Sequence, residues 1–158
     1  MKDVGRSVSL GLFVLILLCF MLPFARISCG EAQVVKATGY EVAFGKTIPA
    51  QTDSTGGRPR WNERAAEVDV VAIACLIAAV VGLGLSLVRG RRGAIARVIL
   101  SYHGFLLLLA LWGELAYRVR QNGAQLQMLA GYWAALALFV VACLANLPAT
   151  RRGLRVGP

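Results

Sequence analysis

LPFARISCGEAQVVKATGYEVAFGK, residues 22–46, is the stretch on which the reading of this chain turns. Before it runs a long apolar segment; after Cys29 come charges, a Thr-Gly pair and an alternation of Tyr40, Val42 and Phe44. Three arrangements could produce that change: a secreted protein losing its signal peptide, a lipoprotein acylated at Cys29, or a membrane span entering a folded loop. A signal peptide carries an apolar core of about 7–15 residues followed by a small-x-small cleavage site. Here the run is longer and ends in Pro23, Phe24 and Arg26, with no Ala-x-Ala. Acylation needs a small aliphatic residue three places before the cysteine, and Arg26 stands there. A span running into an ordered loop fits best.

The rest of the chain agrees. Of 158 residues, 58% are hydrophobic, and the mean hydropathy of +0.65 is too high for a water-soluble domain. The excess lies in four runs, 8–25, 70–88, 98–113 and 128–145, none of which carries Asp, Glu, Lys or Arg. A helix rises about 1.5 Å per residue, so about 20 residues cross a hydrocarbon core of roughly 30 Å. The predicted fold is an all-α integral membrane protein. It is a four-helix transmembrane bundle forming one membrane domain, with spans at about 8–26, 67–88, 96–117 and 128–147 and a small β-hairpin-like extracytoplasmic loop within 27–65. The third span is the shortest and places Arg97 and Glu114 at opposite interfaces.

Four crossings put both termini on one side. That side holds nine basic residues and the other eight, but four arginines (Arg89, Arg91, Arg92 and Arg97) crowd one short turn. Dense clusters beside spans dominate the positive-inside rule, so both termini are expected in the cytoplasm of a bacterial inner membrane. Nine basic residues less Asp3 leave +8 there, while eight less seven acids leave +1 outside. Arg89, Arg91, Arg92, Arg151 and Arg152 are therefore expected to contact anionic lipid headgroups. Short arginine turns offer no folded surface for a nucleic acid.

Within the outer loop, residues 33–45 read as a hairpin turning at Thr38-Gly39. Such a pair of strands is marginal alone and must lean on span ends, the membrane interface or a partner. Residues 47–60 read as a mobile polar connector, and Asn62 as the N-cap of a helix running from Glu63 into the second span. Trp61, Tyr117, Tyr132 and Trp133 are expected at the outer headgroup level. The layout LPF…ISC, then TGYEVAFG, then three further spans resembles small bacterial four-span membrane proteins of uncharacterised function; the likeness covers residues 22–45 and implies no activity. It is also similar to claudin-like proteins, but Cys29 stands alone where those carry a disulfide pair, so nothing is transferred from them.

Ala74, Ala78, Gly82 and Ser86 recur every four residues and share a helix face, as do Gly131 and Ala135. Small faces of this kind let helices approach closely in lipid; the partner is either another helix of this bundle or a second protein. Cys19, Cys29, Cys75 and Cys143 form no Cys-x-x-Cys. Cys19 and Cys75 fall at similar depth and could be neighbours, packed as small hydrophobes. No metal or cofactor is expected, since one histidine and scattered cysteines lack ligand spacing. His103 and Glu114 are the ionisable groups at membrane depth, and such groups invite a functional reading. Eleven residues separate them by about 16 Å along one face, with Leu107 and Leu111 between. Glu114 has Arg118 at i+4 for an ion pair. His103 is expected either to hydrogen-bond within the bundle or to serve as a proton or ligand group.

These features point to a non-catalytic accessory or scaffold subunit that packs against other membrane helices, or against its own kind, and presents an outer segment including Cys29, Tyr40 and Phe44. The alternatives are a small transporter or proton-conducting protein using His103 and Glu114, and a thiol-redox protein using Cys29.

Overall fold

The computed structural model describes residues 4–29, 33–45, 47–48, 64–65, 69–88, 91–121 and 125–152. Four helices, α1 (Val4–Met21), α3 (Val70–Leu87), α4 (Arg91–Gln121) and α5 (Ala130–Arg152), pack in the cyclic order α1, α3, α4, α5. Three of them, α3, α4 and α5, are long and apolar enough to cross a membrane; the apolar part of α1, Ser7–Met21, is shorter. The core between them holds Phe13, Ile16 and Phe20 of α1, Cys75 of α3, Leu108 and Leu111 of α4, and Tyr132 and Phe139 of α5.

Two close approaches fix the helix spacing. A Cβ added at Gly82 of α3 would stand 2.2 Å from the Phe13 ring, and one at Gly104 of α4 would stand 2.3 Å from the Phe139 ring. Each glycine is a socket for a phenylalanine from the neighbouring helix, and any side chain there would displace the ring.

The predicted first span, 8–26, lies about a turn too far along the chain, since α1 runs from Val4 to Met21. Pro23 has no N–H to donate to Cys19, and it biases Leu22 away from helical geometry. The helix therefore closes at Met21 with the Leu22 N–H on the Cys19 carbonyl, 3.0 Å. Residues 23–29 then form β1 (Pro23–Cys29), the central strand of a three-stranded antiparallel sheet ordered β2-β1-β5. Ile27 faces Val35 of β2 (Gln33–Thr38) on one side and Leu126 of β5 (Gln125–Met128) on the other. Hydropathy alone does not separate Phe24 and Ala25, both buried, from the helix before them.

The expected hairpin within 33–45 is also displaced. Residues 33–38 pair with the strand preceding them, and Tyr40, Val42 and Phe44 lie on a short helix, α2 (Gly39–Phe44). The reason is a capping box: the Glu41 N–H donates to Thr38 Oγ1 (3.2 Å) while the Thr38 N–H donates to Glu41 Oε2 (2.8 Å). That reciprocal pair satisfies orphan donors of a helix start, and Gly45 ends the helix at φ 83°.

A two-residue ladder, β3 (Thr47–Ile48) with β4 (Arg64–Ala65), occupies the place where a helix from Glu63 was expected. Asn62 lies outside the described residues, as does most of the 47–60 connector. The cap of α3 is Asp69, whose Oδ1 accepts from the N–H groups of Val71 (3.0 Å) and Ala72 (3.1 Å). α4 runs well past the predicted 96–117; its 31 residues span about 46 Å.

Candidate functional site: a buried polar clasp opposite the sheet

At the end away from the sheet, one polar side chain from each of the four helices converges: Ser9, Ser86, Arg97 and Asn146. All four are buried. Arg97 Nε donates to Asn146 Oδ1 (3.1 Å), and its Nη1 to the Leu85 carbonyl (3.1 Å). Asn146 Nδ2 donates to the carbonyl of Ala142 (2.7 Å) and reaches Ser9 Oγ (3.3 Å). Ser9 and Ser86 hydroxyls meet at 3.3 Å, and Ser86 Oγ donates to the Gly82 carbonyl, 2.9 Å.

The geometry explains how a guanidinium tolerates burial. Leu85 lies in the last turn of α3, where carbonyls lack intrahelical donors and the helix dipole is negative. Arg97 supplies both a donor and a positive charge to that turn. Ser86 lies 16 residues beyond Val70, about 24 Å along α3, so the clasp sits at the far end of that helix from its Asp69 cap. In apolar surroundings such polar contacts link helices that lipid does not otherwise push together. Ser101, one turn along α4 from Arg97, is fully buried and its hydroxyl has no partner among the described residues.

The residues singled out in the sequence separate into distinct places. Ala78, Gly82 and Ser86 are buried and Ala74 is half-buried; Phe13 and Ser9 of this same chain cover Gly82 and Ser86. Gly131 is held against the Pro23 carbonyl, 2.8 Å from an added Cβ, and Ala135 is in the core. His103 is exposed on the outside of α4, where its Nδ1–H donates to the Ile99 carbonyl of its own helix (2.8 Å). Glu114 pairs with Arg118. His103 and Glu114 are not brought together.

Cys19 and Cys75 are buried free thiols in one core cluster, and Cys143 is a half-buried free thiol; the Cys29 side chain lies outside the described atoms. Tyr40 and Phe44 are exposed on α2 with ring centroids 4.7 Å apart. Arg92 is exposed; Arg89 and the side chains of Arg91, Arg151 and Arg152 are outside the description. Tyr132 departs from the predicted headgroup belt. It is buried between Phe24 and Trp133, with its hydroxyl donating to the Leu108 carbonyl (2.9 Å), whereas Tyr117 and Trp133 are exposed. Among the described residues no group of His, Cys, Asp and Glu could hold a metal ion.

The clasp escaped sequence reading because its members are far apart in the chain. The usable signal was polarity inside apolar helices: Asn146 in ACLANLP, and Ser9 and Ser86 within otherwise greasy runs. Comparison with known proteins returned no matching family model, no curated relative and no solved structure of similar fold.

Proposed function

We propose that this protein is a non-catalytic, four-span subunit of a bacterial inner membrane, with both termini in the cytoplasm. It acts as an accessory or scaffold that packs against other membrane helices and presents its sheet outside. The observation that carries this reading is the fate of the polar groups at depth. Arg97, Asn146, Ser9 and Ser86 hold the helices to one another, and His103 bonds to its own helix backbone. Apart from Tyr102, His103 and the Glu114–Arg118 pair on α4, the outside of the helices between their ends is apolar, including Ile77, Val80, Ile99, Leu106 and Trp112, a surface suited to lipid and to neighbouring helices.

The fourth crossing is inferred from α1, which packs between α3 and α5 and contributes Phe13, Ile16 and Phe20 to the core. The cytoplasmic placement rests on the arginines crowded at the start of α4, Arg91, Arg92 and Arg97, with Arg89 just before it in the sequence. Cross-linking in native membranes followed by mass spectrometry tests the role. Covalent capture of other membrane subunits, or of a second copy, is expected. A monomer in mild detergent with nothing captured would overturn the reading. Reporter fusions at the two termini are expected to report the same compartment.

A further inference from the structure

The six-residue helix α2 has one face in the core and one face outside. Gly39 lies against the rings of Phe20 and Phe24, 3.0 and 2.9 Å from an added Cβ, and Ala43 is fully buried. Phe20 belongs to the last turn of α1 and Phe24 to β1 just beyond it, so α2 lies at the level where α1 ends. It packs across α1 and α3. The opposite face presents Tyr40 and Phe44, each 47% exposed, with their rings in tilted contact at 4.7 Å between centroids. Neighbouring elements continue that apolar surface: Met21 and Leu22 leave α1 exposed, and Val70, 75% exposed, begins α3.

We propose that α2 is an interfacial anchor whose Tyr40–Phe44 face lies in the lipid headgroup layer on the sheet side, fixing the height of the sheet above the bilayer. This rests on the membrane reading above. Aromatic rings, and tyrosine above all, are favoured where an apolar body meets a wet edge. A protein partner fits poorly. Two half-exposed aromatic side chains offer roughly 200 Å² of a full area of 150–250 Å² each, against about 800 Å² per partner for a stable interface.

The test uses the full chain in native membranes, with a photoreactive benzoylphenylalanine replacing Phe44 and, separately, Tyr40. Ile77 and Ile99, exposed on α3 and α4, serve as lipid-depth references, and Gln127, exposed on β5, as the reference beyond the membrane. Intact-mass analysis distinguishes phospholipid adducts from protein adducts. If the rings sit at the interface, phospholipid adducts at positions 40 and 44 should form within about two-fold of the yield at the lipid-depth references, and about ten-fold above that at Gln127. A protein adduct at 40 and 44, or a yield no higher than at Gln127 while positions 77 and 99 capture lipid, overturns the anchor and leaves the membrane reading standing. Failure of positions 77 and 99 to capture lipid overturns both.

Discussion

The two ends of the helix bundle are held by different chemistry. At one end, three chain segments form a sheet through backbone hydrogen bonds, and α2 is capped by Thr38 and Glu41. At the other, the backbone contributes carbonyl acceptors, and side chains from four helices make the connections: Arg97, Asn146, Ser9 and Ser86. Where strands can pair, main-chain groups satisfy one another. Where only helices meet, their internal hydrogen bonds leave little main chain to share, and side chains must bridge. The sheet end therefore rests on repeated main-chain pairing, while the clasp end depends on a few specific side-chain atoms.

That contrast can be broken first at Asn146. Asn146→Leu leaves Arg97 Nε buried without its acceptor, and removing one member of such an arrangement is expected to cost about 3 kcal/mol. The buried thiols Cys19 and Cys75 give a readout, since unfolding in detergent exposes them to a maleimide dye. The labelling midpoint should fall, while hydrogen exchange in β1 stays unchanged below that midpoint. Adding Arg97→Leu removes the donor that has lost Asn146 Oδ1, and the double variant should recover part of the loss. Failure to recover would mean that Arg97 does more than hold Asn146.

Gly82→Val should come next, at about 2 kcal/mol in the same thermal assay, because the new side chain must displace the Phe13 ring. Thr38→Ala addresses the other end. Loss of the capping oxygen should cost about 1 kcal/mol, with faster exchange in α2 and none of the labelling change seen for Asn146→Leu at low temperature. The smallest effect is expected at Ser101→Ala. Its hydroxyl is buried without a partner among the described residues, so removal should be neutral or stabilise the fold by up to about 1 kcal/mol. A clear loss of stability there would extend the clasp one turn deeper along α4.

Three of the apolar runs could be read as long helices because composition and length are local properties; α3, α4 and α5 follow. The boundaries were less legible. Phe24 and Ala25 look helical by hydropathy, yet Pro23 diverts the chain into a strand. Tyr40, Val42 and Phe44 alternate like a strand, yet the Thr38–Glu41 capping box makes them a turn and a half of helix; that T-x-x-E signal was present and was outweighed by periodicity. Residues 125–128 gave no strand signal apart from their partner, because Leu126 is apolar between glutamines and its pairing is with Ile27. The small-residue face was visible, but not its occupant. The polar members of the clasp stand out inside apolar runs, but nothing local in Arg97 or Asn146 announces that they meet.

The central position of β1 has a consequence for biogenesis. Its neighbour β2 emerges from the ribosome almost at once, but β5 does not: Ala25 must wait for Met128. Until α4 has been synthesised, one margin of β1 has no companion, and the loop that would close over it is long. Completion of the sheet therefore waits until α3 and α4 have both been made, and a change that displaces β5 leaves that margin of β1 uncovered.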